Sequence, residues 1–384
     1  MRFSPTRTLL AALAGGIALA AGLGAGQRPE DTIKVGHYAS MTGQEATFGV
    51  STDNGIKLAV KEINNAGGVN GKKIEIITYD TKSDSKEAGN CVTRLIASDK
   101  VVAVLGEVAS GLSLAGGAVC QERSVPMISP SSTNPKVTAG RDYIFRVCFI
   151  DPFQGFAVAK FAKDSGYAKV AVLYEQSAPY SKGLRDEFKK HFEKMGGSIV
   201  ADEAYNKGDQ DFSAQLNSIR NAAPDAIFVP GYYTEVGNIA LQARKIGVKV
   251  PLLGGDGWDS EQLAKIGGPA IEGCFYSNHY APDQPSEAVK NFVEKYKKEY
   301  NGQTPDGLAA LGYDAAFVLV EAMKKSKSLK GSDLRDAIAA TKDFKGVTGS
   351  ITIDKNRDAK KAAVIVEMKN GMPVYKATVA PGDK

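Results

Sequence analysis

The chain has 384 residues, which allows two or three domains at roughly 100–200 residues each. Hydrophobic residues make up 43% and charged residues 24%, a balance that excludes wholesale disorder and fibrous architectures. The net charge of +5 is spread without a basic run, which argues against nucleic acid as a partner, and no His/Cys pair stands at metal-ligand spacing, so neither a metal site nor a cofactor is expected.

Residues 8–27 carry no charge and follow the basic stretch MRFSPTRT. Their apolar content is mostly Ala and Gly, a weak basis for a permanent membrane span. Small residues gather at Leu23-Gly24-Ala25-Gly26, as signal cleavage requires. Residues 1–26 are therefore read as a signal peptide and the protein as periplasmic, with a membrane anchor as the competing reading. Export changes the expectation for the four cysteines, because an even count in an oxidising compartment suggests two bridges. Three pairings are allowed. The expected ones are Cys91–Cys120, between neighbouring helical patterns, and Cys148–Cys274, between the runs IFRVCF and EGCFYSN. Buried unpaired thiols are the alternative.

IKVGHY reads as a strand, and Ile56, Ala59, Val60 and Ile63 then recur at helical spacing until Gly67-Gly68. Strands follow in KIEIITYD, VVAVLG and PMISP, with helical runs at 85–98 and 111–123 between them. The succession restarts with AKVAVLYE and runs through helices at 211–222 and 235–246 to the strand VPLLGGD. Helices near 286–299, 306–326 and 332–341 come next, and the chain closes on strands with a two-residue turn at Asn370-Gly371. The fold class is α/β, with two Rossmann-like lobes of parallel sheet joined by a hinge of several crossovers. The expected lobes are 31–150 plus 280–361, and 151–279 plus 362–384.

Ligands of open parallel sheets bind beyond the carboxyl ends of the strands. Ser110 follows VVAVLG at the next helix start, and Ser131 and Thr133 follow PMIS; hydroxyls with helix N–H groups suit a carboxylate. In the second half, Tyr180, Tyr232, Asp256 and Trp258 stand after three further strands, the pattern of an aromatic pocket with one acid. The bland readings are an N-cap, a turn and packed surface aromatics. His37, His191 and His279 read as packing or surface residues. There is no GxGxxG opening a helix, no Walker A, HExxH or GxSxG motif, so an exported enzyme is a competing class without a visible nucleophile–base pair.

Through IKVGHYASMTG, AVKEINNAGGVNGKKIEIITYD, PMISPSSTNPKVT, FRVCFIDPFQG and DAIFVPGYYTEVG, in that order, the sequence resembles the leucine/isoleucine/valine-binding proteins of bacterial ABC importers, the type I periplasmic binding proteins. The resemblance runs from about Ile33 to the end. It implies a two-lobed clamshell, monomeric and not an enzyme, that closes on an α-amino acid, branched-chain or otherwise aliphatic, and presents it to a membrane permease; the alternative is the same clamshell binding an amide or an aromatic acid for uptake or sensing. On matching positions it implies that Ser110 and Thr133, with main-chain groups around Ser131, hold the ligand carboxylate. Asp256 would meet the ammonium, Tyr180 and Tyr232 would line the second lobe, and Phe48 and Leu308 would face the ligand side chain. Alanine is frequent at the position of Ser131, and glutamate at that of Asp256.

Overall fold

The computed structural model describes residues 32–382. The predicted signal peptide lies outside the described residues.

The first series is β1 (Ile33–Ala39), α1 (Ala46–Asn65), β2 (Ile74–Asp80), α2 (Ser85–Ala97), β3 (Ala103–Leu105), α3 (Ser110–Glu122), β4 (Met127–Ser129) and β5 (Ile144–Arg146). Its strands form a five-stranded parallel sheet in the order β2-β1-β3-β4-β5. Helices cover both faces, so β1, β3 and β4 are apolar and almost wholly buried. The second series runs α4 (Asp151–Asp164), β6 (Lys169–Glu175), α5 (Pro179–Lys194), β7 (Ser198–Tyr205), α6 (Ser213–Asn221), β8 (Ala226–Phe228), α7 (Tyr233–Lys245), β9 (Leu252–Gly254), α8 (Glu261–Gly267) and β10 (Phe275–Asn278). In its sheet the strands lie as β7-β6-β8-β9-β10, the same 2-1-3-4-5 succession as in the first. Identical strand order means that the topological switch point recurs at equivalent places, beside strands one and three of each series.

After β10 the chain returns to the first sheet. It forms α9 (Glu287–Glu299), α10 (Gly307–Lys325), α11 (Gly331–Ala339) and the small antiparallel sheet of β11 (Phe344–Gly346), β12 (Gly349–Ile353) and β13 (Ala359–Lys360). Tyr280, Phe292, Leu311, Val318, Ile351 and Ile353 share one apolar cluster with Ile33, Val35, Ile56 and Phe145. The chain then crosses a third time, into β14 (Ala363–Lys369) and β15 (Met372–Val379). These extend the second sheet antiparallel to β10, so that sheet is mixed rather than all parallel. Asn370 and Gly371 both have positive φ, 51° and 72°, as a two-residue turn of this twist demands. Three chain passages therefore connect the sheets, near 147–150, 279–286 and 361–362.

The expected disulfides do not form: all four cysteines are buried free thiols. Cys91 donates its thiol to the Asp80 carbonyl at 3.4 Å, and Cys148 donates to that of Ser132 at 3.4 Å. Cys120 is packed in the apolar cluster beneath α2 and α3. Arg244 donates to Cys274 Sγ at 3.5 Å, within the core of the second sheet, whereas Cys148 belongs to that of the first. Burial pushes the Cys91 thiol up to about 11 and Cys148 to about 12, so each behaves as a small hydrophobe.

Candidate functional site

Between the two sheets lies a narrow cavity of about 10 Å³ lined by Phe48, Val108, Ser110, Ser131, Tyr180, Tyr232, Asp256, Gly257 and Leu308. Its residues come from the segments after β1, β3 and β4 on one side and after β6, β8 and β9 on the other, with Leu308 from the start of α10. The repeated switch point thus supplies both walls. That space is about what one water molecule needs, so the two walls stand nearly closed on each other.

On the first-sheet wall, α3 begins at Ser110 behind Ala109, which brings no side-chain cap. The first-turn N–H groups of α3 therefore receive no side-chain acceptor, an arrangement suited to an anion. Ser110 Oγ accepts from the Asn134 N–H at 3.3 Å. Ser131 Oγ and Thr133 Oγ1 are buried hydroxyls with no hydrogen-bond partner among the described residues. Buried hydroxyls are otherwise almost always bonded, so Ser131 Oγ, which lines the cavity, marks a place where a ligand belongs, whereas Thr133 lies behind the wall beside Asp151. The platform beneath them is rigid. Ser113, Ser129 and Ser132 all donate to the carbonyl of Glu107, while the Glu107 carboxylate accepts from Ser40 Oγ at 2.9 Å and the Ala109 N–H at 2.7 Å. Burial, with Glu45 nearby, pushes the Glu107 carboxyl up to about 7.

The opposite wall carries an acid and stacked rings. Tyr180 and Tyr232 lie nearly parallel, with centroids 5.2 Å apart, and Phe48 meets Tyr232 edge-on at 5.7 Å. Tyr180 Oη accepts from the Gly257 N–H at 3.0 Å, and this fixes the turn that carries Asp256. A Cβ at position 257 would stand 2.7 Å from the Gly231 carbonyl, so only glycine allows this close approach. The Asp256 carboxylate accepts from Gln154 Nε2 at 2.7 Å on one oxygen and meets His279 Nε2 at 3.1 Å on the other. Burial pushes the His279 imidazole down to about 4, so it stays neutral and donates its Nε2–H to Asp256. No Lys or Arg pairs with this acid among the described residues. Together the walls offer hydroxyls to one end of a small zwitterion and a carboxylate with aromatic faces to the other.

Seven of the nine predicted ligand residues, Phe48, Ser110, Ser131, Tyr180, Tyr232, Asp256 and Leu308, line the cavity. Thr133 is buried behind that wall, and Trp258 stands apart. The Trp258 indole is wholly buried in the second core and donates to the Val229 carbonyl at 2.9 Å. Sequence reasoning missed Val108 and Gly257, which follow strands as the other wall residues do. It also set aside His279 and did not single out Gln154. Their signal was weak: each contacts Asp256 from a segment remote in sequence, although His279 does follow a strand end.

Contacts between the walls close the cavity. Tyr233 Oη and Thr234 Oγ1 donate to the Gln44 carbonyl at 2.8 and 3.2 Å, and Asn134 Nδ2 donates to the Pro179 carbonyl at 2.7 Å. Lys207 reaches across to Glu45 at 2.8 Å.

The sequence profile of the periplasmic binding proteins matches residues 32–372. The Leu/Ile/Val-binding protein homolog 1 of Brucella suis is 34% identical over 353 residues, 91% of this chain and 93% of its own. Among solved structures, a leucine-binding protein from Thermotoga maritima is 41% identical with a TM-score of 0.87, over 91% of this chain and 99% of its own. The branched-chain amino acid transporter substrate-binding protein of Streptococcus pneumoniae, solved with isoleucine, is 36% identical with a TM-score of 0.86, over 91% and 100%. The chain belongs to the periplasmic binding protein family, within the group that contains the leucine/isoleucine/valine-binding proteins.

Proposed function

We propose that this protein is the periplasmic solute-binding component of an ABC importer and captures an aliphatic, branched-chain-type α-amino acid. The carrying observation is the pairing, across one small cavity, of the partnerless buried Ser131 hydroxyl and an uncapped helix start with a buried acid that carries no cation among the described residues. A zwitterion satisfies both at once. Phe48, Val108 and Leu308 supply the apolar lining for its side chain. The relatives named above bind leucine or isoleucine by their descriptions, which supports the same ligand class here.

In this reading the two lobes are 31–150 plus 280–361 and 151–279 plus 362–384, and they turn about the three chain passages. The ligand bridges the walls, so its differential affinity favours the closed form. The membrane permease then reads the closed shape. A thermal-shift screen of the twenty amino acids tests this, because a ligand that binds only the folded state raises the melting temperature. The largest shifts are expected for leucine, isoleucine and valine. Shifts from aromatic acids lacking an amine, and none from amino acids, would overturn the ligand class.

A further inference from the structure

A second cavity, of about 350 Å³, lies at the third chain passage, on the far side of His279 from Asp256. Its walls include Thr348 and Ser350 from the small antiparallel sheet, Lys360 and Lys361 from the passage, Thr378 from β15, and His279. Two lysines, a histidine and several hydroxyls line it, and no Asp or Glu does among the described residues.

Lys361 is unusual. It is only 3% exposed, yet its ammonium donates to one hydroxyl, Thr348 Oγ1, its hydrogen-bond partner among the described residues. Buried charges are normally paired directly with an opposite charge. Here the acid whose field it feels is Asp314 on α10, which accepts from Thr348 Oγ1 at 2.6 Å and from the Val347 and Thr348 N–H groups at 2.8 and 2.9 Å. The hydroxyl therefore stands between ammonium and carboxylate. Cys148 after β5 and His279 after β10 also lie within its field, and the nearby Asp358 is held by Arg146 Nε at 2.7 Å. His279 Nδ1, likewise buried, has no partner among the described residues. Burial outweighs Asp314 and brings the Lys361 ammonium down to about 8.

We propose that this hinge cavity binds a small doubly charged oxyanion, a sulfate or phosphate group, with Lys361, positioned by Thr348, as its charge partner and the Ser350 and Thr378 hydroxyls as donors. The site touches the elements that connect the lobes, so its occupant sits at the pivot rather than in the cleft. The cavity exceeds a bare sulfate. The oxyanion is therefore either free or the end group of a small organic ester, and these differ in affinity.

Calorimetric titration of inorganic sulfate and of glycerol 3-phosphate into the whole exported protein tests the site. One anion per chain is expected. The tighter of the two probes tells a free anion from an ester. Lys361→Met should weaken sulfate at least tenfold, whereas Ser110→Ala should leave it unchanged. Thr348→Val serves in place of Lys361→Met if that variant fails to fold, and should also weaken sulfate. In the unaltered protein an anion beside Lys361 holds its proton, so binding at pH 8 should take up protons, seen as different heats in Tris and HEPES. Uptake should be larger at pH 8 than at pH 6. Absence of binding, absence of proton uptake at pH 8, or loss in Ser110→Ala in place of Lys361→Met would each overturn the site. The last result would place sulfate in the amino-acid cleft instead.

Discussion

The two walls of the amino-acid cavity solve opposite electrostatic problems with different materials. In the proposed mode the first-sheet wall would meet a carboxylate with neutral donors, Ser110, Ser131 and an uncapped helix start, of which the Ser131 hydroxyl stands partnerless among the described residues. The second-sheet wall would meet an ammonium with the single Asp256 carboxylate, already held on both oxygens by Gln154 and His279. A neutral donor set tolerates loss of one member, because the remaining dipoles still face the anion. A single buried charge has no deputy. The ammonium end should therefore be far more sensitive to substitution than the carboxylate end.

The sharpest break in that comparison is Asp256→Asn. Removing one partner of a buried charge pair costs about 3–5 kcal/mol, so isoleucine should bind at least about a hundredfold more weakly, at roughly tenfold per 1.4 kcal/mol. The 2-hydroxy analogue of isoleucine lacks the ammonium and should lose much less. Calorimetric titration of both ligands decides it, and equal losses would make Asp256 a structural acid. Ser110→Ala and Ser131→Ala should each weaken both ligands alike, by about tenfold, the scale of one hydrogen bond to a charged group. A loss confined to the amino acid would break the division of labour between the walls.

Stability should also depend on pH in a direction that the buried acids set. Burial pushes Asp151, beneath the cleft, up to about 8, and Glu107 and Asp306 to about 7. The folded state keeps protons that the unfolded chain releases, so this contribution is present at low pH and is lost as pH rises through 7 and 8. His279, held down near 4, acts oppositely, but only between about 4 and 6.5. The melting temperature should thus fall from pH 6.5 to 8.5, and Asp151→Asn should flatten the slope. An unchanged slope in that variant would remove Asp151 from the account. The smallest effect concerns the thiols: reductant should leave the melting temperature unchanged, and unfolding without reductant should expose four alkylatable cysteines.

Periodicity and turn chemistry made most of this fold legible. The run from Ile56 to Ile63 is the buried face of α1, and Asn370-Gly371 closes the last hairpin. The rule that ligands sit after strand ends located Ser110, Ser131, Tyr180, Tyr232 and Asp256, because a parallel sheet aims all such ends one way. Phe48 and Leu308 came from resemblance alone, since one lies within a helix and the other opens a helix of the returning chain. Trp258 misled for a physical reason: it shares a turn with Asp256 but points into the core, and strand-end position does not say which way a side chain turns. Cysteine count misled too. Compartment chemistry permits a disulfide, but apposition of two sulfurs depends on packing that spacing does not encode. Gln154 and His279 were invisible as a pair because their only link is a third residue.

Closure of the cavity has a kinetic consequence. Phe48, Ser110, Ser131, Tyr180, Asp256 and Leu308 are all less than a tenth exposed, and Gln44, Asn134 and Lys207 hold the walls together over them. A captive amino acid leaves only when the walls part. Its residence time is then the waiting time of the hinge, and better contacts inside lengthen it only by making parting rarer. A membrane partner that pries the lobes apart would discharge cargo at a rate of its own choosing, without weakening any bond that selected the cargo.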